Sequence, residues 1–139
     1  TGFRLADLLF GGDTVFQTSV ARPDLEAGAD GAPALARRLH STLHDRVLAL
    51  PDGTLVLPGH YAERATPTDE GLYAATVGDL RERLDALGLE EAAFVERITG
   101  DVPPRPANFE EIIPINLGEG TASDEEAFAL ELGPNNCAV

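Results

Sequence analysis

The sequence predicts an α/β fold, and three observations lead there. Short apolar runs rich in β-branched and aromatic residues occur at Phe3 to Phe10, Thr14 to Phe16 and Thr54 to Leu57. Between them, apolar residues recur at helical spacing. Two of the runs also end in a glycine followed by one polar, chemistry-bearing residue, as "GGD" at 11–13 and "PGH" at 58–60. In an α/β arrangement such strand-end loops lie along one edge of the sheet, where sites are usually built.

The elements follow in chain order. Phe3 to Phe10 and Thr14 to Phe16 read as strands on either side of the Gly-Gly-Asp turn, and residues 18–32 as a loop. Behind Pro33, a favoured first-turn residue, Leu35, Leu39, Leu43, Val47 and Leu50 mark an amphipathic helix over 33–50. "PDG" at 51–53 is turn chemistry, and the apolar run from Thr54 to Leu57 is too short for a helix and reads as a strand. Thr76 with Asp79 three residues on resembles a capping arrangement for a helix over 76–87, whose apolar positions are Val77, Leu80, Leu84 and Leu87. A further short helix spans about 90–98. Pro103, Pro104 and Pro106 then break helical structure, and "FEEIIPINLG" reads as extended. The final "EGTASDEEAFALELGPNNCAV" is expected to pack loosely or to be partly mobile.

The 139 residues suffice for one domain with a core. All ten basic residues are arginine, and 24 acidic groups give a formal net charge of -14. Such a surface repels nucleic acid and anionic membranes. The acids are spread along every segment, as expected of a protein adapted to high salt, where a Debye length of about 3 Å at 1 M screens self-repulsion. The single cysteine, Cys137, excludes an internal disulfide and a cysteine zinc cluster, which fits a reducing cytoplasm. No apolar run approaches the length of a membrane span.

Asp13 and His60 form the sharpest candidate pair. An unpaired carboxylate is costly to bury, so Asp13 belongs at a strand end, held by backbone donors or a cation. Carboxylate and imidazole suit zinc or non-haem iron; a turn-capping aspartate and a structural histidine are the alternative reading. Tyr61 could hydrogen-bond a substrate or cover the loop. His40 and His44 share a helix face at i, i+4 but lack the glutamate of a zinc helix, the stretch being "HSTLH", and read as surface or packing residues. Arg37 and Arg38 read as solvated partners for acids. Cys137 has no nearby base in sequence to activate it as a nucleophile.

The stretch "GGDTVFQTSVARPDL", followed by an amphipathic helix and "LALPDGTLVLPGHY", resembles the C-terminal half of the metallo-β-lactamase superfamily, most closely its persulfide dioxygenase and glyoxalase II branch. The resemblance runs from about Leu5 to Gly118, and "PPRPANFEEIIPINLG" also looks like the dioxygenase branch. It implies the C-terminal part of an αββα sandwich, with one sheet's strands and covering helices. It makes Asp13 a metal ligand and His60 either a ligand of a second ion or a neighbour of the site that assists proton transfer. Arg22, in the family's "GRxD" loop, would order that loop or meet an anionic thiol substrate, with Tyr61 nearby. The implied cofactor is iron or zinc, and the implied substrate a small-thiol persulfide or a thioester.

The sequence departs from the family at Ala21, where glycine is usual, and at Gln17-Thr18, which replace an apolar-glycine pair. The family's "HxHxDH" motif is absent, since none of the three histidines precedes Asp13. A catalytic metal normally has at least three protein ligands. The expectation is therefore a fragment inactive alone, with residues 1–118 as the C-terminal half of the domain and 119–139 as an acidic tail. Pairing through an exposed sheet edge, as a homo-oligomer, is a further expectation.

Overall fold

The computed structural model describes residues 2–62, 64–100, 102 and 108–131. They fall into two compact units that part after Val102, so that the segment from 108 to 118 lies in the second unit rather than with residues 2–102.

In the first unit four strands form one sheet in the order β1 (Phe3–Leu5), β2 (Leu8–Gly12), β3 (Leu55–Pro58) and β4 (Ala75–Thr76). The pairs β1–β2 and β3–β4 are antiparallel, whereas β2 and β3 are parallel. The parallel step requires a crossover, which the helical segment from Asp24 supplies. The single strand expected over 3–10 is instead a hairpin. Ala6 adopts a left-handed φ of 54°, and the Arg4 Nε–H donates to its carbonyl at 3.0 Å. Asp7, a turn residue inside the apolar run, marks the break. The strand expected over 14–16 is reduced to one isolated bridge, Val15 to Val20.

Helix α1 (Asp24–Thr42) begins well before Pro33, inside the expected loop. Gly28 (φ 68°, ψ −175°) kinks it, and Pro33 sits just behind the kink, where the helix restarts. The helix ends in one π-helical turn, Leu43–Val47. Helix α2 (Val77–Arg83) has the expected Thr76/Asp79 capping box, with both reciprocal hydrogen bonds made. It gives way to a 3₁₀ turn at Asp85–Gly88, and α3 (Glu91–Gly100) follows.

The pleat sorts side chains to two faces. Leu9, Val56 and Ala75 stand side by side across β2, β3 and β4 and join the core beneath the helices, with Leu43, Leu80 and the fully buried Phe94. The opposite face carries Phe3, Leu5, Leu8, Phe10, Leu55 and Leu57, as the pairings Phe3–Phe10–Leu57 and Leu5–Leu8–Leu55 require. On this face Phe3, Leu5 and Phe10 are 69%, 65% and 44% exposed, whereas Leu8, Leu55 and Leu57 are half-buried.

In the second unit, "FEEIIPIN" is not extended but forms helix α4 (Phe109–Asn116). Gly118, at φ 79°, closes it: the amides of Gly118 and Glu119 donate to the carbonyls of Ile115 and Pro114, the two bonds of a Schellman motif. Helix α5 (Asp124–Glu131) lies in the expected loose tail and starts at a Ser123/Glu126 capping box. The Asn108 side-chain amide donates to the Leu130 carbonyl at 3.2 Å, joining the two helices. Cys137, Leu132, Asn135 and Asn136 lie outside the described residues.

Candidate functional site

Strands β2 and β3 run parallel, so their C-terminal ends open onto the same edge. At that edge the register slips: Phe10 faces Leu57 but Gly12 faces Pro58, leaving Gly11 as the extra residue of a bulge. Gly12 follows at φ 54°, a conformation that costs other residues roughly 1–2 kcal/mol. The Gly59 amide donates to the Gly12 carbonyl at 2.8 Å, stitching the two strand-end loops together. A Cβ on Gly59 would lie 3.0 Å from Asp13 Oδ1 and 3.3 Å from the Gly12 carbonyl carbon. Glycine is therefore the residue that permits the approach.

The stitched loops bring the two sequence candidates together. His60 Nδ1 lies 2.6 Å from Asp13 Oδ1, and both side chains are about half exposed. The Nδ1–H donates to the carboxylate, which fixes the ring and leaves Nε2 outside that contact. Two donor atoms, Asp13 Oδ2 and His60 Nε2, are thus held at one sheet edge. Among the described residues no group of three or more His, Cys, Asp or Glu side chains could hold a metal ion. Two donors fall short of the three a resident catalytic ion normally takes, so the described residues do not by themselves complete a metal site.

Arg22 and Tyr61 are placed differently. The Arg22 side chain is fully buried and makes a bidentate pair with Asp24, Nε to Oδ1 at 3.1 Å and Nη2 to Oδ2 at 2.8 Å. This pair fixes the chain where it enters α1 and encloses the guanidinium. Tyr61 is 60% exposed and stacks on Tyr73, with ring centroids 3.7 Å apart and planes 2° from parallel. His40 and His44 pack ring against ring in the α1 wall, with His40 edge-on to Phe94.

Gln17 is a residue whose part sequence reasoning missed. Buried at the tip of the loop after Asp13, it donates through Nε2 to the carbonyls of Thr66 at 3.0 Å and Ala74 at 2.6 Å. It thereby anchors the irregular segment that follows His60. Its Oε1 is enclosed without a partner among the described residues, at a cost of about 1–3 kcal/mol. The only signal was its position, since Gln17-Thr18 stand where the resembling loops carry an apolar-glycine pair.

No protein family's sequence profile matches the chain. Over 65 residues it is 37% identical to the "Probable metallo-hydrolase YqgX" of Bacillus subtilis, a match covering 47% of this chain and 28% of that protein. An uncharacterized protein of Mycobacterium tuberculosis is 41% identical over 54 residues, 39% of this chain and 21% of its own length. Among solved structures, ETHE1 from Myxococcus xanthus superposes with a TM-score of 0.69 at 24% identity, covering 83% of this chain and 46% of that one. A metallo-beta-lactamase from Staphylococcus aureus gives 0.66 at 24% identity, covering 84% and 33%. The chain spans less than a third of the curated relatives it matches and less than half of these solved structures. Among the described residues no helix is long and apolar enough to cross a membrane. The chain thus belongs to the metallo-β-lactamase fold, of which it forms one portion.

Proposed function

We propose that this chain is the portion of a metal-dependent enzyme that contributes Asp13 and His60 to the metal site, and that the enzyme oxidises a small-thiol persulfide with dioxygen. The observation that carries the reading is the 2.6 Å contact between Asp13 and His60 at the C-terminal edge of parallel strands. Carboxylate and imidazole are ligand types shared by iron and zinc sites. The missing donors would come from a segment outside this chain. That segment would also cover the apolar sheet face bearing Phe3, Leu5 and Phe10. On this reading the 139 residues alone are inactive.

A second reading, a glyoxalase II-like thioester hydrolase, is favoured by the likeness to YqgX, a probable metallo-hydrolase. It requires His60 as a direct ligand and two ions per site. A third, in which the chain is a non-catalytic oligomerising module, rests on pairing through an exposed sheet edge and is read from solution mass.

The test is oxygen uptake by the full-length protein that contains this chain, loaded with ferrous iron in about 1 M salt, where surface repulsion is screened, and given a small-thiol persulfide. Uptake that vanishes on Asp13→Ala supports the dioxygenase reading. Absence of uptake by protein that holds two zinc ions and hydrolyses a thioester replaces it with the second.

A further inference from the structure

Asp13 and His60 stand on two loops that are pinned to each other on both sides of the pair. Before it, the Gly59 amide donates to the Gly12 carbonyl at 2.8 Å. Beyond it, Gln17 Nε2 donates to the Thr66 carbonyl at 3.0 Å and the Ala74 carbonyl at 2.6 Å. Arg64 Nη2 reaches back to the Thr18 carbonyl at 3.4 Å. The Asp13–His60 contact thus lies inside a bracket.

The second pin matters because the segment leaving His60 has little else to hold it. Residues 61–73 carry no helix or strand, and among the described residues none of them is buried. Bonds such as Ala65 N–H to the Ala62 carbonyl and Thr68 N–H to the Leu72 carbonyl stay within the segment. Tyr61 stacks on Tyr73 with ring centroids 3.7 Å apart, which closes the segment at its neck like an Ω-loop but ties it only to itself. The Arg64 bond to the Asp13 loop is long and exposed, whereas Gln17 is 8% exposed and meets two carbonyls. Hydrogen bonds shielded from water are the stronger kind. The contact between Asp13 and His60, about half exposed, is too weak to organise two loops by itself.

We propose that Gln17 is a positioning residue for this sheet edge: by fixing the His60 loop against the Asp13 loop, it holds the imidazole in register with the carboxylate. The proposal rests on the reading of Asp13 and His60 as the working pair and adds the part that sets their geometry. A side-chain amide suits the task, since its two N–H donors answer two carbonyls without bringing in a charge. Its Oε1 is enclosed without a partner among the described residues, so the Nε2 end makes the contribution.

The test reads the His60 ring in a long-range ¹⁵N spectrum of the full-length protein that contains this chain, freed of metal so that the ring nitrogens report the protein's own contacts. Gln17→Met keeps the length of the side chain and removes both donors. It should lose the single Nδ1–H tautomer of the wild type and give the mixture expected of Asp13→Ala. Ile98→Ala, which hollows the core at α3, should keep the wild-type signature while lowering stability. An unchanged His60 signal in Gln17→Met would overturn the proposal, as would an equal change in Ile98→Ala, which would assign the effect to general loosening. A second measurement needs no variant: in the wild type the Gln17 side-chain amide protons should exchange slowly with solvent, and exchange at the rate of a free glutamine would also overturn it. Because none of these readouts involves turnover, failure of the persulfide and thioester reactions would sink the functional reading separately. The ring signature would still decide the role of Gln17.

Discussion

His60 Nδ1 lies 2.6 Å from Asp13 Oδ1 across 47 positions of sequence, at the paired ends of two parallel strands. The two side chains are about half exposed, so the contact is a poor source of stability: exposed pairs are worth about 0–1 kcal/mol. Its consequence is orientation. The histidine tautomer is set with the proton on Nδ1. In a long-range ¹⁵N spectrum, His60 should show that tautomer in the wild type and a mixture in Asp13→Ala, with unfolding free energy shifted by less than about 1 kcal/mol. An unchanged spectrum would show that Asp13 does not orient the ring.

Gly59 is expected to accept alanine badly. The added methyl meets Asp13 Oδ1 at 3.0 Å and Gly12 backbone at 3.3 Å, so one of the stitched loops must move. Overpacking of this kind costs about 1–3 kcal/mol. Chemical denaturation of Gly59→Ala should show that loss. In Gly53→Ala, where the added Cβ meets nothing within 4 Å, overpacking should contribute none.

The Arg22–Asp24 pair is buried, and buried pairs respond differently from exposed ones. Removing one partner costs about 3–5 kcal/mol, because the remaining charge is left in a low-dielectric site. Asp24→Ala removes the bidentate partner of a fully enclosed guanidinium and should destabilise by that amount in urea titrations. A loss under about 1 kcal/mol would mean that the loop relaxes and hydrates the arginine.

Acid sensitivity should register at the start of α2. Hydrogen bonds from the Thr76 side chain and backbone, with a lesser contribution from Arg83, hold the Asp79 carboxyl below its ordinary value of 3.8. The folded form therefore binds the proton less readily than the unfolded one. The stabilisation is present above about pH 4 and is lost as pH falls through the lower folded value. Thr76→Ala should cost about 1 kcal/mol at neutral pH, and the gap to the wild type should narrow towards pH 2. A constant gap would assign the loss to the hydroxyl alone.

Much of the site was legible because its residues sit beside local backbone signals. "GGD" and "PGH" each announce a strand that must turn, and parallel pairing of β2 with β3 then juxtaposes Asp13 and His60. What escaped depends on contacts distant in sequence or on punctuation that points both ways. Gln17 bonds to Thr66 and Ala74, and Tyr61 stacks on Tyr73, which no local pattern discloses. Asp7 splits a continuous apolar run into a hairpin, and Gly28 hides a helix that begins at Asp24. The prolines at 103, 104 and 106 argued for extended chain after them, yet Gly118 was the stop signal of a helix. Arg22 and Asp24, two residues apart, were a pair that local reading could have found.

The most direct measurement is metal content and affinity of the full-length protein that contains this chain, in the wild type and in Asp13→Ala and His60→Ala. A tightly bound ion in the wild type, lost or weakened by about tenfold or more in Asp13→Ala, is the expected result. An ion held with unchanged affinity in both variants would contradict the assignment of this sheet edge to the metal site.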